Sequence, residues 1–492
     1  MTQIPRASSA TAANLVQRLW GLCNILRDDG ITYQDYVTEL TYLLFLKMLA
    51  ETGREALIPA DCRWSGLTSR EGDALLTHYR ATLLKLGTSG HPGIRTIFDN
   101  AQTSLRKPAN LRELVGALDR LDWYSAKEEG IGDLYEGLLE KNANEKKSGA
   151  GQYFTPRALI DCMVRLLKPR PGEVIQDPAA GTGGFLVAAD RAIKAVTDDL
   201  FALPKARQEF QRREAFRGLE LVPGTHRLLT MNLLLHGIEP DGVKGGDTLG
   251  PDGEALGQAD LVLSNPPFGT KKGGGRPVRG DFTITADTSN KQLAFVEHIV
   301  RALKPGGRAG IVLPDNVLFA DGVGRELRRW MMEVADLHTI LRLPTGIFYA
   351  QGVKTNVVFL RRGTTARGNT QAVWVYDMRA GQPAYGKTRP LRADDFAAFE
   401  AAYGEDPNGS AAREDQGAEG RFRRFTREEI AARGENLDIS WLRGDDAAAE
   451  DALEEPEDIL EAIRTHLARA MVEVEALAGE LNGNGERAEA AE

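Results

Sequence analysis

The chain has 492 residues, 42% of them apolar and 27% charged, with a net charge of −9 and three cysteines. That length suits several domains with sizeable cores, and the negative balance excludes a protein that coats nucleic acid by bulk charge, while leaving room for a local basic groove or a partner that carries the contacts. No apolar run is long enough to span a membrane, the first residues lack a signal peptide's apolar core, and Cys23, Cys62 and Cys162 form no CxxC or Cys/His cluster, so no metal or disulfide framework and a cytoplasmic location are expected.

From residue 11 to 145 the pattern is helical. Leu15, Leu19, Leu22 and Leu26 recur at steps of three and four, as do Leu40, Leu43 and Leu44, and helix stops fall at 28–30 and 89–93. A polar, lysine-containing linker over 142–151 leads to Gln152-Tyr153-Phe154-Thr155-Pro156-Arg157. There Thr155 is expected to cap a helix over 157–167, with Pro156 as its first residue.

Beyond residue 173, short apolar strands alternate with amphipathic helices. The expected strands are 173–176, 215–219, 243–245, 260–263, 309–313, 338–343 and 356–360; the expected helices are 183–196, 225–236, 292–303 and 324–334. Such alternation predicts an α/β fold with a mostly parallel sheet covered on both faces. The short connection 344–355 predicts that the last of these strands returns antiparallel at the sheet edge. One more strand is expected at 373–376, a mobile loop at 404–420, and an acidic stretch at 445–458. Leu460, Ile463, Leu467, Ala470, Val474, Leu477 and Leu481 form an a/d seam, which serves either packing on the chain's own body or a partner helix.

Chemistry-bearing residues cluster at strand ends. Asp177 opens the stretch Asp177-Pro178-Ala179-Ala180-Gly181-Thr182-Gly183-Gly184, which leads from the first strand into a helix. Glycines there let backbone N–H groups approach a ligand. A dinucleotide fingerprint would need glycine where Leu186 stands, and a P-loop would need Gly-Lys-Ser/Thr. Asp177 would repel a phosphate and suits a cationic amine such as the methionine part of S-adenosylmethionine. Glu220 ends the second strand and suits ribose hydroxyls; Asp247 follows the third and suits an adenine amine. Asn265-Pro266-Pro267-Phe268 leaves the fourth strand rigidly, because consecutive prolines give no N–H to a ladder. It offers an amide, a proline carbonyl and a ring to a planar amine.

These segments resemble the motifs of N6-adenine DNA methyltransferases: GQYFTPR (151–157), DPAAGTGGF (177–185), FRGLE (216–220), GDTL (246–249) and NPPF (265–268). Their order is that of the gamma-type enzymes. With IGDLYEGLLEK (131–141), LPTGIFYAQGVKTNVVFL (343–360) and VYDMR (375–379), the chain is most similar to the modification subunit of type I restriction–modification systems.

The resemblance implies a Rossmann-like, S-adenosylmethionine-dependent methyltransferase sheet, an all-helical N-terminal domain and a coiled-coil-like C-terminal helix. The corresponding boundaries are 1–145 (helical), 146–380 (catalytic), 381–456 (mixed, acidic, partly mobile), 457–482 (seam helix) and 483–492 (disordered tail). Gln152 to Arg157, with Thr182, Gly183 and Gly184, would lie at the cofactor's methionine end. Asn265 and Pro266 would accept the two N–H groups of a flipped-out adenine, with Pro267 stiffening the turn and Phe268 stacking on the base. Lys271, Lys272, Arg276 and Arg279 form a basic loop, either phosphate-contacting or merely solvated.

No target-recognition domain follows the sheet, so the DNA sequence would be read by a specificity subunit that binds two copies of this chain. A restriction subunit would add cleavage of double-stranded DNA. The motifs alone leave open a same-fold methyltransferase of RNA or of a protein glutamine, and a non-catalytic scaffold.

Overall fold

A computed structural model describes residues 17–19, 21–22, 33–123, 135, 137–139, 155–269, 275–348, 354–386 and 389–442. In chain order the elements begin with α1 (Tyr33–Glu51), α2 (Gly72–Leu86), α3 (Pro92–Phe98), α4 (Pro108–Asp119), α5 (Arg157–Leu167), β1 (Ile175–Asp177), α6 (Gly184–Val196), α7 (Lys205–Arg213), β2 (Phe216–Glu220), α8 (Pro223–Leu235) and β3 (Val243–Gly245). They continue with β4 (Ala259–Ser264), α9 (Lys291–Ala302), β5 (Leu303–Pro314), α10 (Val323–Val334), β6 (Ala335–Arg342), β7 (Thr355–Arg362), β8 (Ala372–Asp377), α11 (Ala397–Tyr403), β9 (Phe422–Thr426) and α12 (Arg427–Ala432). The chain compacts into two units, Met1–Gly151 with Ala180–Gly246, and Gln152–Ala179 with Asp247–Glu492.

In the first unit, α1 is buried all round from Glu39 to Leu49, so it is the central helix rather than a surface one. Tyr42 stacks on Phe98 with ring centroids 5.3 Å apart. Lys47 would be costly to bury alone, but it pairs with Asp119 at 2.7 Å and Glu51 at 2.8 Å. Met231 and Leu234 of α8 join the same core as α1–α4, and Arg227 of α8 donates to the Asp99 carbonyl at 2.9 Å. Strands β2 and β3 run parallel, with Glu220 opposite Gly245. The helical region therefore compacts in one unit with the second and third strands. Helix α8 touches both α1 and α3 and strands β2 and β3.

The second unit carries the strand order β1-β4-β5-β7-β6-β8-β9. β1, β4 and β5 are parallel neighbours, as are β6 and β8. β7 is antiparallel to both β5 and β6, and β9 is antiparallel to β8. The strand expected at the edge thus lies in the interior. Thr355 to Leu360 are buried at every position, which only a strand paired and covered on both sides allows. Against the sheet, α5 packs so closely on Gly310 that a Cβ there would sit 2.7 Å from Leu167 Cδ1. α9 starts where Asn290 accepts from the Gln292 and Leu293 N–H groups.

Strand β9 and helices α7, α11 and α12 were not legible in the periodicity. The stretch 404–420 is irregular, as expected, but it is tied down: Arg413 donates to Thr339 Oγ1 at 2.9 Å and to the Tyr403 carbonyl at 2.9 Å. The acidic run 445–458 and the seam helix lie outside the described residues.

Candidate active site

Strand β4 delivers Ser264 and Asn265 at its carboxyl end, beside that of β1. Asp177 is 1% exposed. Its Oδ1 accepts from Ser264 Oγ at 2.7 Å and from the Ala179 N–H at 3.0 Å. The acid that ends the first strand is thereby fastened to the residue before the Asn-Pro-Pro turn. Asn265 Nδ2 donates to Thr155 Oγ1 at 2.9 Å. This corrects the helix-cap expectation. Pro156 occupies the N-cap position of α5, no side chain caps the helix, and the Thr155 hydroxyl serves Asn265 instead. With its nitrogen turned to Thr155, the amide's other terminus is the acceptor Oδ1. Pro266 is buried, Pro267 partly so. Phe268 meets Phe348 edge-on, centroids 6.2 Å apart and planes at 68°.

The glycine turn belongs to the first unit. Gly181 and Gly183 have φ of +56° and +88°, which a side chain would strain, and a Cβ on Gly183 would lie 2.6 Å from Leu229 Cδ1. Gly183 is the N-cap of α6 and Gly184 its first residue. The Thr182 carbonyl accepts from Asn232 Nδ2 at 2.9 Å. Glu220 Oε2 accepts from the Gly181 N–H at 3.0 Å and Oε1 from the Val222 N–H at 2.8 Å. Burial pushes the Glu220 carboxyl above the ordinary carboxylate range, against the lowering effect of these N–H groups. A carboxylate placed so can accept further from a ligand hydroxyl.

Asp247, in the second unit, heads a compact turn. Its Oδ1 accepts from the Leu249 N–H at 2.9 Å, its own N–H donates to Asp252 Oδ2 at 3.1 Å, and Thr248 Oγ1 donates to the Pro178 carbonyl at 2.5 Å.

The basic loop divides. Arg276 is exposed and pairs with exposed Asp287 at 2.9 Å. Arg279 is not available to a phosphate in this conformation, because its side chain is 3% exposed and held by Asp281. Lys271, Lys272, Gln152, Tyr153 and Phe154 lie outside the described residues. Arg157 begins α5. Sequence reasoning missed Ser264, Phe348 and the Thr155–Asn265 contact. The signal for Ser264 was its place next to Asn265; nothing local marks the other two.

The groups in each unit suit S-adenosylmethionine: in the second, buried Asp177 is a carboxylate for an amine, and in the first, half-buried Glu220 is one for hydroxyls beside a turn that only glycine can form. Among the described residues, no group of His, Cys, Asp and Glu could hold a metal ion, and no helix is long and apolar enough to cross a membrane.

Comparison with known proteins agrees with the geometry. The N-6 DNA Methylase model matches residues 126–451, and the HsdM N-terminal domain model matches 15–118. The StySPI methylase subunit of Salmonella potsdam is 48% identical over 97% of both chains. The EcoKI methylase subunit of Escherichia coli K12 is 47% identical over 96% of both. Among solved structures, the EcoKI M protein superposes with a TM-score of 0.56 at 44% identity, covering 95% of this chain and 96% of that one. A chain of a type I R-M system reaches 0.70 at 26% identity, covering 97% and 99%. With family models over both its parts and such identity along almost its whole length, the chain belongs to the N-6 DNA methylase family as the methylase subunit of a type I restriction enzyme, an S-adenosylmethionine-dependent, adenine-specific DNA methyltransferase.

Proposed function

We propose that Asn265 Oδ1 and the Pro266 carbonyl accept the two N–H groups of a flipped-out adenine, that Pro267 keeps the turn rigid, and that Phe268 stacks on the base. The observation that carries this reading is the Thr155 hydroxyl holding Asn265 Nδ2, which sets the amide with its oxygen as the remaining terminus. An exocyclic amine conjugated with its ring is a poor nucleophile. Two acceptors draw it toward tetrahedral geometry and localise its lone pair. S-adenosylmethionine supplies an electrophilic methyl on sulfur. The N–C bond forms as the C–S bond breaks, the electron pair stays on sulfur, and the nitrogen then sheds a proton.

On the same reading, Asp177, Gly181, Thr182, Gly183 and Gly184 serve the methionine end of the cofactor, along with Gln152 to Arg157. Glu220 takes the ribose and Asp247 the adenine amine. Lys271, Lys272 and Arg276 face DNA phosphates. Residues 457–482 dock on a specificity subunit that binds two copies of this chain in the cytoplasm, and a restriction subunit joins that assembly for cleavage.

The test is Asn265→Ala. It is expected to abolish methyl transfer to DNA while S-adenosylmethionine still binds; normal turnover in that variant sinks the mechanism. Removal of residues 457–481 is expected to prevent assembly with the specificity subunit, and co-purification of the truncated chain with it would refute the docking role.

A further inference from the structure

Arg279 lies between the Asn265–Phe268 turn and α9, in a stretch whose composition suggests a solvated basic loop. The fold gives it another task. Its Nε and Nη2 donate to the two oxygens of Asp281, each at 2.7 Å. Its Nη1 donates to the Thr248 carbonyl at 2.8 Å and lies 3.2 Å from His298 Nδ1. The guanidinium carbon stands 4.6 Å from the centre of the Phe282 ring. Burial, with the nearby Arg279 charge, pushes His298 down to about 3, so the ring is neutral and Nδ1 can accept.

The backbone repeats the attachment. The Val278 N–H donates to the Leu249 carbonyl at 2.8 Å. Leu249, Phe282, Ala294 and Phe295 share a small core. A Cβ at Gly253 would fall 2.4 Å from Arg279 Nη1 and 2.0 Å from the Thr248 carbonyl oxygen, so the close approach requires glycine there. The turn Asp247–Leu249 is thus gripped on two sides, by Pro178 through Thr248 Oγ1 and by Arg279 through the Thr248 carbonyl. The rest of the segment is clamped onto α9, where buried Glu297 accepts from the Thr283 and Thr285 N–H groups at 2.9 and 2.7 Å.

We propose that Arg279 is a positioning residue that fastens the segment following the catalytic turn to the turn bearing Asp247, so that cofactor affinity depends on a side chain from the target-side segment; this rests on the reading of Asp247 as acceptor for the cofactor's adenine. Only arginine's planar fork supplies a bidentate carboxylate pair and a carbonyl contact from one head group. A lysine ammonium keeps the charge but cannot reproduce the parallel two-bond pairing with Asp281. Any ligand that prefers the fastened turn also stabilises the fastened segment, since such coupling is reciprocal.

The test measures S-adenosylmethionine binding to the full chain by calorimetry, and methyl transfer to DNA in the assembled enzyme. Arg279→Gln is expected to weaken cofactor binding about tenfold and to raise KM for S-adenosylmethionine by a similar factor, with kcat at saturation within about twofold. Arg279→Lys is expected to recover part of the loss. The cofactor-free unfolding midpoint of each variant separates this effect from a general loss of fold. Unchanged cofactor affinity in a folded Arg279→Gln chain overturns the proposal, as does a matched fall in kcat with KM unmoved. Asp247→Ala tells the two readings apart. If it binds cofactor normally, the role given to Asp247 falls and the proposal with it. If it binds weakly beside an unaffected Arg279→Gln, the proposal alone falls.

Discussion

Thr155→Val isolates the contact that orients the Asn265 amide. The two side chains are nearly isosteric, so the change removes the hydroxyl that accepts from Asn265 Nδ2 at 2.9 Å and little else. Thr155 is 9% exposed, so water replaces that acceptor poorly. An amide N–H left without its partner in such a place costs about 1–3 kcal/mol. The variant amide recovers some of that by rotating, which carries Oδ1 away from the position the target amine needs. If the whole cost appears in the barrier, kcat falls about 5- to 150-fold. The assay is transfer of labelled methyl to unmethylated DNA in the assembled enzyme, with S-adenosylmethionine affinity measured separately by calorimetry. The expected outcome is a fall in kcat with cofactor affinity intact, and near-normal turnover in Thr155→Ser. A rise in KM for the cofactor at constant kcat would place Thr155 on the cofactor, as the motif alone suggests. No change in either would refute the orienting role.

Three further outcomes rest on separate features. Gly183→Ala puts a Cβ 2.6 Å from Leu229 Cδ1 on a backbone with φ of +88°, and is expected to lower stability by about 1–3 kcal/mol in chemical denaturation; an unchanged midpoint would show that the turn relaxes freely. Burial raises the Asp336 carboxyl to about 6 against the pull of Arg361 and Arg413. Its folded value exceeds its unfolded one, so its stabilising share is full below about 4 and lost as pH rises through 6; Asp336→Asn is therefore expected to stabilise the chain near pH 7.5 by at most about 3 kcal/mol and to do little near pH 4. A gain of equal size at both pH values would refute this. Arg379 pairs with both oxygens of Asp315 at 2.9 and 3.0 Å and donates to the carbonyls of Leu343 and Thr355, the residues flanking 344–354. Arg379→Ala takes from half-buried Asp315 its two-bond partner, leaving it the Asn356 amide and the nearby Arg342 charge, and is expected to cost about 1.5–3 kcal/mol of stability, while Arg379→Ala with Asp315→Ala is expected to cost less than the single change, read by thermal unfolding.

What the sequence revealed and what it hid divide along a physical line. The glycine turn and Asn-Pro-Pro-Phe were legible because their constraints are local: a left-handed φ needs glycine at 181 and 183, and prolines end a strand wherever they stand. Strand interiors such as 261–263 and 309–313 were legible because a strand buried on both faces must be apolar at every step. Which strands neighbour each other was not, since β7 reads the same beside one partner or between two. Its interior place follows from matching β5 along seven residues, Arg308 to Pro314, a choice no local pattern records. Thr155 was misread for the same reason: a threonine ahead of a proline is a plausible cap until its hydroxyl is claimed by Asn265, 110 positions along the chain. Arg276 and Arg279 make the point most sharply. Both are arginines of one glycine-rich loop, three residues apart, and no periodicity or composition separates them. Asp281 offers a fork at the right spacing, and the Thr248 carbonyl needs a donor that Gly253 leaves room for, so Arg279 turns inward. Arg276 meets exposed Asp287, an ion pair that solvent screens. Charge patterning therefore located the loop, and burial separated its two described arginines.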